Sequence, residues 1–310
     1  MKRIVAGLVC VLAIGALGAP SLAENERLAD VVYMDQPTGI EFSVYVAAWP
    51  ALAPYIDRLK TAQAKAVEAD LYRRTTAADV SDGELNLLAQ LEWRRGALEA
   101  ADIAADRALR LKPRQALNAF QKAMVTFAHL RRASGLLEQW TWQGRTRDAY
   151  QRTFDLDPRN VSARYYLAYS DMNTPWYGGG DSDAALALSE GGIALGQIGF
   201  YAVRADAHRL RGERDAARAD YDTAIKLKVI KLGGLLDAAQ EELGRKQFDR
   251  AKRYLDWAVH CRPDATTAYE GLGDYYAAIN DKAQARQMYK TAIERDPKNG
   301  SAKGKLAGLS

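Results

Sequence analysis

A repeat of 34 residues constrains this chain more than any other feature of its sequence. Three consecutive blocks of that length begin at Ile198, Leu232 and Thr266. A period of this length is typical of a two-helix unit, which buries its apolar faces only by stacking on its neighbours. The sequence therefore predicts an all-α array of helical hairpins. The alanines that recur every 34 residues are Ala217, Ala251 and Ala285 in one series and Ala224, Ala258 and Ala292 in the other.

The block 266–299 shows the pattern most fully. Its first helix has apolar or small residues at i, i+3, i+4 and i+7, and its second helix has them at i, i+4 and i+7. Pro297 follows the second helix and ends it, because proline has no backbone N–H and restricts the residue before it. The residues concerned are Tyr269, Leu272, Gly273 and Tyr276 in the first helix and Ala285, Tyr289 and Ala292 in the second.

These residues at these offsets resemble the tetratricopeptide repeat superfamily, and the resemblance extends over residues 82–299. It implies a right-handed helical-hairpin solenoid of about six repeats, preceded by an extended and helical N-terminal cap. Because members of the superfamily bind very different partners, the resemblance predicts the fold and leaves the ligand open.

The same template divides the chain into segments. We expect a signal peptide at 1–23, an extended segment and capping helix at 24–81, the solenoid at 82–299 and a cap or tail at 300–310. Within the N-terminal part, Val31–Met34 and Ile40–Val46 are predicted to be extended, as a hairpin or cap, and Ala51–Thr75 to be one long helix. The helix register within 116–160 stays open. The six predicted repeats are 82–115, 116–160, 161–197, 198–231, 232–265 and 266–299.

Three positions depart from the repeat pattern. Val229 stands where a terminating proline is expected, and Glu242 stands where a large apolar residue is usual. The third departure is an insertion from Thr174 to Gly180, which either binds an anion at a helix start or packs as a tight structural turn. The structural interpretation is favoured, because the loop lacks the Lys and Ser/Thr of a phosphate loop. The loop residues of interest are Trp176, Tyr177, Gly178, Gly179 and Gly180.

The first 23 residues have the composition of a secretory signal peptide. Lys2 and Arg3 precede an uncharged apolar run from Ile4 to Ala19, and small residues before Glu24 suit cleavage after Ala23. The run is shorter than the roughly 20 residues that span a bilayer, so no stable transmembrane anchor is expected. The sequence thus predicts a periplasmic protein. Cleavage would lower the net charge from +4 to +2, and no basic stripe suggests a nucleic-acid partner.

No catalytic or metal-binding motif stands out. The histidines His129, His208 and His260 lack the spacing of a metal site, and no nucleophile elbow, HExxH or phosphate loop occurs. The protein is therefore predicted not to be an enzyme and to need no cofactor or metal. Cys261, the one cysteine after cleavage, is predicted to be a small buried hydrophobe.

In the superfamily, ligands usually lie along an inner groove formed by the first helix of each hairpin. The resemblance places aromatic residues in the middle of this groove and acidic residues in its C-terminal half. An alternative is that several of the tyrosines only pack between helices. The predicted groove residues are Trp93, Tyr165, Tyr166 and Tyr169, followed by Asp206, Asp237 and Asp274.

The function predicted from these observations is that of an exported, non-catalytic scaffold, which binds a protein or peptide in its groove. Two alternatives remain open. One is an accessory component that handles substrates for a periplasmic solute-uptake system, and the other is an envelope or outer-membrane assembly factor. The oligomeric state is not determined by the sequence.

The signal-peptide prediction can be tested directly. The protein recovered from the periplasm or its equivalent is expected to begin at Glu24, because Ser21 and Ala23 suit signal-peptide cleavage. Mass spectrometry of the intact protein measures this. An uncleaved N-terminus, or an acylated Cys10, would contradict the prediction.

Overall fold

A computed structural model describes residues 32–34, 40, 42–59, 61, 63–174 and 180–309. The described residues form two compact units. Unit 1 runs from Ile40 to Asp181, and unit 2 combines residues 32–34 with the chain from Ser182 onward. The predicted signal peptide and the loop residues Trp176, Tyr177, Gly178 and Gly179 lie outside the described residues.

Unit 1 begins with short helices and continues with hairpins. Helix α1 spans Phe42–Ala48, a 3-10 turn spans Pro50–Leu52, α2 spans Ala53–Leu59 and α3 spans Ala64–Arg74. The longer helices that follow pack against one another in chain order. They are α4 (Asp82–Arg95), α5 (Leu98–Leu111), α6 (Ala116–Arg132), α7 (Leu136–Leu156) and α8 (Val161–Asn173).

Unit 2 contains the described helices from Ser182 onward, together with two short strands. The strands are β1 (Val32–Tyr33) and β2 (Val229–Ile230), and they pair in parallel. The helices are α9 (Ser182–Ala194), α10 (Phe200–Leu210), α11 (Arg214–Lys226), α12 (Leu232–Gly244), α13 (Phe248–Cys261), α14 (Thr266–Ala278), α15 (Lys282–Arg295) and α16 (Gly300–Ala307). The chain is thus an all-α repeat solenoid of helical hairpins.

Local sequence sets where the first hairpin begins and turns. Ser81 caps α4 reciprocally with Glu84: the Ser81 hydroxyl accepts from the Glu84 amide, and the Glu84 carboxylate accepts from the Ser81 amide. Gly96 ends α4 with φ +78°, a left-handed conformation that glycine adopts without steric cost. These two signals place the turn between α4 and α5.

The recurring small residues lie where helices cross closely. The alanines of both series are buried, and three large residues 34 positions apart are buried beside them. Tyr221, Leu255 and Tyr289 hold this second position in the three blocks. Cys261 is buried in the same core, as predicted. Each hairpin therefore packs through a small residue at the crossing and a large one that fills the space around it.

The N-terminal segment differs from the sequence prediction. The predicted extended conformation of Ile40–Val46 is wrong, because residues 42–48 form α1. The predicted long helix over Ala51–Thr75 is also wrong: α2 ends at Leu59, and α3 begins at Ala64. Thr61 lies in this break, where its hydroxyl donates to the Arg58 carbonyl and accepts from the Gln63 amide. Such local side-chain bonds compete with helix continuation.

Two of the departures from the repeat pattern have a structural explanation. Val229 lies in β2, where the Val32 amide donates to the Lys228 carbonyl at 2.9 Å and the Met34 amide donates to the Ile230 carbonyl at 2.8 Å. A β-branched residue suits this extended backbone better than a helix end. The buried Glu242 pairs with Arg218 of the preceding hairpin through two N–O contacts of 2.9 Å. A bidentate ion pair therefore replaces an apolar contact there.

The fold predicts which substitutions the solenoid tolerates. Ala251→Trp or Ala285→Trp is expected to lower the free energy of unfolding by about 1 to 3 kcal/mol, because both alanines are fully buried at helix crossings. Urea unfolding followed by circular dichroism measures the change. The control is Lys298→Ala at an exposed position, which is expected to have no effect. Equal stability of all three variants would contradict the repeat register.

Candidate functional site

The surface on which ligands are expected is formed by the first helix of each hairpin. Within each unit, we call the surface that these helices form the first-helix face of that unit. In unit 1 it comprises α4, α6 and α8, and in unit 2 it comprises α10, α12 and α14. The predicted groove residues all lie on these helices. Their contacts, taken within each unit, decide which of them a partner can reach.

Tyr166 is part of the core of unit 1. It is 4% exposed, its ring stacks on Tyr150 with centroids 4.4 Å apart, and it meets Phe127 edge-on at 5.6 Å. Burial raises the pKa of the Tyr166 phenol above its ordinary range. This residue therefore packs between helices, which was the alternative interpretation of the tyrosine cluster, and it is not open to a partner.

The other aromatic residues of the predicted groove differ in their exposure. Tyr165 is buried and stacks on Tyr169 with centroids 6.2 Å apart. Tyr169 and Trp93 are half-buried, so part of each ring lies at the surface. Of the aromatic residues predicted to line the groove, Trp93 and Tyr169 are the two with area left for a ligand.

Asp206 is buried in unit 2, and both oxygens of its carboxylate accept hydrogen bonds. Its carboxylate accepts hydrogen bonds from the Tyr221 hydroxyl and from the Lys231 ammonium. Burial and the adjacent carboxylate raise the pKa of Tyr221 well above its ordinary value, so the phenol stays protonated and keeps donating. A Cβ at Gly234 would lie 1.9 Å from an Asp206 oxygen, so only glycine fits beside the carboxylate. Asp206 thus ties two hairpins together.

The remaining predicted acids also have cations of this chain as partners. Asp237 is exposed and lies 3.1 Å from the Arg209 guanidinium. Asp274 accepts from the Tyr289 hydroxyl at 2.7 Å and from Lys305 at 2.7 Å. These pairs offset the negative charge expected of the C-terminal half of the groove, so its field on an approaching basic segment is weaker than the acids alone suggest.

Sequence analysis missed the cations that complete these pairs. Lys231 precedes α12, Arg209 is on α10 and Lys305 is on α16, so each pair joins elements 25 or more residues apart. A partial signal exists in the repeat register. The ninth residue of the last three blocks is Asp206, Gln240 and Asp274, and acids occur where the second helix carries Tyr221 or Tyr289. The middle block, 232–265, has Leu255 in the tyrosine position and Gln240 in the acid position.

The described residues of the segment 40–49 contact α4 and α6, which form part of the first-helix face of unit 1. Trp49 packs directly on the backbone of α4, where a Cβ at Gly83 would lie 2.6 Å from its ring. The indole N–H donates to Asp82 at 3.2 Å. One turn earlier, the buried Tyr45 donates its hydroxyl to Gln121 of α6 at 3.0 Å. Burial raises the pKa of the Tyr45 phenol well above its ordinary value, so it remains a donor.

Two glutamines beneath this segment have unused hydrogen-bonding capacity. Gln90 donates to the Ile40 carbonyl at 3.5 Å, the outer limit for a hydrogen bond. Both Gln90 and Gln121 are fully buried, yet Oε1 of Gln90 and Nε2 of Gln121 have no hydrogen-bond partner among the described residues. A buried polar group left unpaired costs about 1 to 3 kcal/mol. The contact between this segment and the face is thus incompletely satisfied.

The insertion after α8 closes tightly at its base. The Asp181 amide donates to the Asp171 carbonyl at 3.1 Å. A Cβ at Gly180 would lie 1.7 Å from the carbonyl oxygen of Thr174, so the two backbone segments meet at a position that only glycine allows. Gly180 thus has a steric role, which favours the structural interpretation for this one glycine of the insertion.

A cleft of about 570 Å³ lies on the second-helix side of unit 2. Three of its charged lining residues are in ion pairs: Lys252 lies 2.7 Å from Asp256, and Arg253 lies 2.6 Å from Asp222. The Trp257 indole donates to the Val229 carbonyl at 3.1 Å. These contacts hold α13 in place and leave little unsatisfied chemistry for a ligand. The lining residues are Ile225, Asp249, Lys252, Arg253, Asp256, Trp257 and His260.

Two features are absent from the described residues. None of the helices in that part of the chain combines the length and apolar character needed to cross a membrane. In the same residues, no three or more His, Cys, Asp or Glu side chains are grouped so as to hold a metal ion.

Comparison with known proteins agrees with the geometry of the hairpins. Residues 236–300 match a family described as tetratricopeptide repeat. This stretch of the chain belongs to the tetratricopeptide repeat superfamily. Tetratricopeptide repeat protein 12 of Mus musculus is 31% identical over 103 residues, which are 31% of this chain and 15% of that protein. The protein of the same name from Homo sapiens is 30% identical over 104 residues. The match thus spans only about 15% of the length of these curated relatives.

Two solved structures, the first described as a tetratricopeptide repeat protein, resemble the chain over more of its length. One from Parabacteroides merdae has a TM-score of 0.58 at 13% identity, covering 86% of this chain and 98% of the other. The apo form of the quorum sensor NprR from B. thuringiensis has a TM-score of 0.54 at 11% identity, covering 86% and 80%. At these identities the likeness shows the shared fold and nothing finer.

Two glycine substitutions, one at the insertion and one inside α7, are predicted to have opposite effects on stability. Gly180→Ala is expected to lower the free energy of unfolding by about 1 to 3 kcal/mol, because the added Cβ clashes with backbone. Gly144→Ala, inside α7 with no atom near its Cβ, is expected to raise it by about 0.5 to 1 kcal/mol. Urea unfolding measures both. The same effect from both would contradict the tight closure at Gly180.

Proposed function

We propose that this protein is a non-catalytic scaffold that binds a segment of another protein on its first-helix face. The observation that supports the proposal best is the contact between that face and residues 40–49. A tyrosine hydroxyl, an indole N–H and a backbone carbonyl are each held by a polar side chain of α4 or α6. A face built to hold these groups has the chemistry to hold the same groups in a partner.

The part of the first-helix face that we assign to a partner lies around Trp93 and Tyr169. Both rings are half-buried, so they are held in place by their own unit and still present apolar area with a polar edge. Aromatic anchors of this kind often dominate the energy of protein interfaces. A preformed helical surface also limits the ordering cost of binding. Asp237, the exposed acid of the predicted set, is assigned to the rim of the face in unit 2.

The proposal includes export to the periplasm, with the signal peptide removed after Ala23. The support is the arrangement of Lys2, Arg3 and the apolar run that follows, together with the small residues before Glu24. The absence of catalysis is likewise proposed. Members of the superfamily are typically scaffolds, and the described acids on the first-helix face are engaged in pairs that hold hairpins together.

Matched aromatic variants test the proposed function. Trp93→Ala and Tyr169→Ala are each expected to weaken partner binding by about 1 kcal/mol or more, roughly fivefold. The control is Ile103→Ala, on the second helix of the first hairpin and 64% exposed, which is expected to leave binding unchanged. Affinity purification from the native envelope, quantified by mass spectrometry, identifies the partner, and titration with that partner measures its affinity.

The opposite pattern would contradict the proposal. If Ile103→Ala lowers binding while Trp93→Ala and Tyr169→Ala do not, the partner binds the second-helix surface. Melting temperatures of the three variants must be compared first, so that a loss of binding is not caused by a loss of folding.

A further inference from the structure

We propose that the face formed by α4 and α6 is a binding site for a helical segment with a tyrosine and a tryptophan one turn apart. Residues 40–49 occupy this site as a detachable internal ligand. The inference rests on the proposed function, since it names the chemistry of the partner that the first-helix face of unit 1 receives. It goes further in assigning the site to a face that is closed in the resting chain.

The recognition chemistry comes from the segment's own two aromatic residues. Tyr45 and Trp49 are four residues apart, so they project from the same side of α1, and their ring centroids lie 5.8 Å apart. Tyr45 reaches α6 through Gln121, and Trp49 reaches α4 through Asp82. Gly83 leaves a flat backbone surface beneath the indole. The pair therefore spans two first helices, as a bound ligand does.

The side chains beneath the segment are polar, so water can hydrate them when the segment detaches. Asp82, Gln90 and Gln121 all lie beneath the segment, and each regains hydration when the segment leaves. The opposite side of α1 is already solvated, because Ser43, Val44 and Ala47 are exposed. These exposed side chains of α1 thus need no new hydration when the segment leaves the face.

Residues 40–49 do not provide hydrogen-bond partners for every buried polar atom beneath them. The Gln90 and Gln121 side chains each have one buried atom without a hydrogen-bond partner among the described residues, and the Gln90 contact with Ile40 is long. A partner segment that donates to Oε1 of Gln90 and accepts from Nε2 of Gln121 gains two hydrogen bonds that residues 40–49 do not provide. Such a partner competes well against the internal ligand.

The helix α1 has only seven residues, and isolated helices of this length are not stable in water. Detachment is therefore expected to unfold the segment, so that the site switches between an occupied state and an open one. An external ligand binds only the open fraction, and its apparent dissociation constant rises as that fraction falls. Weakening the internal ligand should thus tighten external binding without any change in the face itself.

A synthetic peptide of residues 38–53, labelled with a fluorophore, is the probe. Fluorescence anisotropy measures its binding to the mature chain, to the Tyr45→Ala/Trp49→Ala double variant and to Val44→Ala as a control in the same helix. The double variant is expected to bind the peptide at least tenfold more tightly than the wild type, and Val44→Ala is expected to match the wild type. Adding Gln121→Ala to the double variant is expected to weaken peptide binding about tenfold.

A folded double variant that binds no peptide would overturn the proposal. Circular dichroism and the melting temperature establish whether it is folded. If it is not, hydrogen exchange of the wild type decides the question. The amides of Val46, Ala47 and Ala48 are expected to exchange at least 100-fold faster than those of Ala104, Ala105 and Ala108 in α5, since local opening exposes α1 alone. Equal protection of the two helices would show that α1 is an integral part of the core.

The two proposals fail in different ways. One outcome is that the peptide binds the double variant as expected, while Trp93→Ala and Tyr169→Ala leave binding of the native partner unchanged. In that case residues 40–49 are a detachable ligand, and the assignment of the partner surface to Trp93 and Tyr169 is wrong. If partner binding needs those rings and the peptide never binds, the scaffold function stands and residues 40–49 are a fixed cap.

Discussion

The close crossing of helices at small residues is the contact on which the rest of the structure depends. A single helical hairpin has too little partner surface to bury both of its faces, so it is stable only when its neighbours stack against it. Ala251 and Ala285 have no exposed surface, and the large side chains Leu255 and Tyr289 fill the space beside them. Substituting a larger residue at either alanine separates two helices and, through them, two repeats.

Stacking of this kind also buries polar groups, and the chain pairs them across hairpins. Asp206 is held by Tyr221 of the same hairpin and by Lys231, which precedes α12, and Glu242 of α12 is held by Arg218 of α11. These pairs contribute specificity of register, because a carboxylate left without its partner in a buried position is strongly destabilising. They also explain why acidic residues recur on the first helices without making that face strongly negative.

The first-helix face of unit 1 connects the repeat fold with the proposed function. Its amide and carboxylate groups hold Tyr45 and Trp49 of the chain's own N-terminal segment, and they do so incompletely. The unpaired amide atoms beneath this segment support the proposal that it covers a binding face, and they link the repeat architecture to the proposed binding of a protein segment.

The 34-residue period determined the hairpins by itself, because helix spacing, small residues at crossings and terminating residues are local properties of the chain. The sequence also showed that Val229 and Glu242 depart from the repeat pattern, but it did not show which contacts these two residues make. Only the tertiary structure showed that β1 pairs with β2, that Arg218 reaches Glu242 and that Tyr166 is buried. Each of these contacts joins residues far apart in sequence, and local periodicity carries no information about them. The same reason explains the N-terminal segment: residues 42–48 have the composition of a strand, and packing of Tyr45 and Trp49 against α4 and α6 makes them a helix.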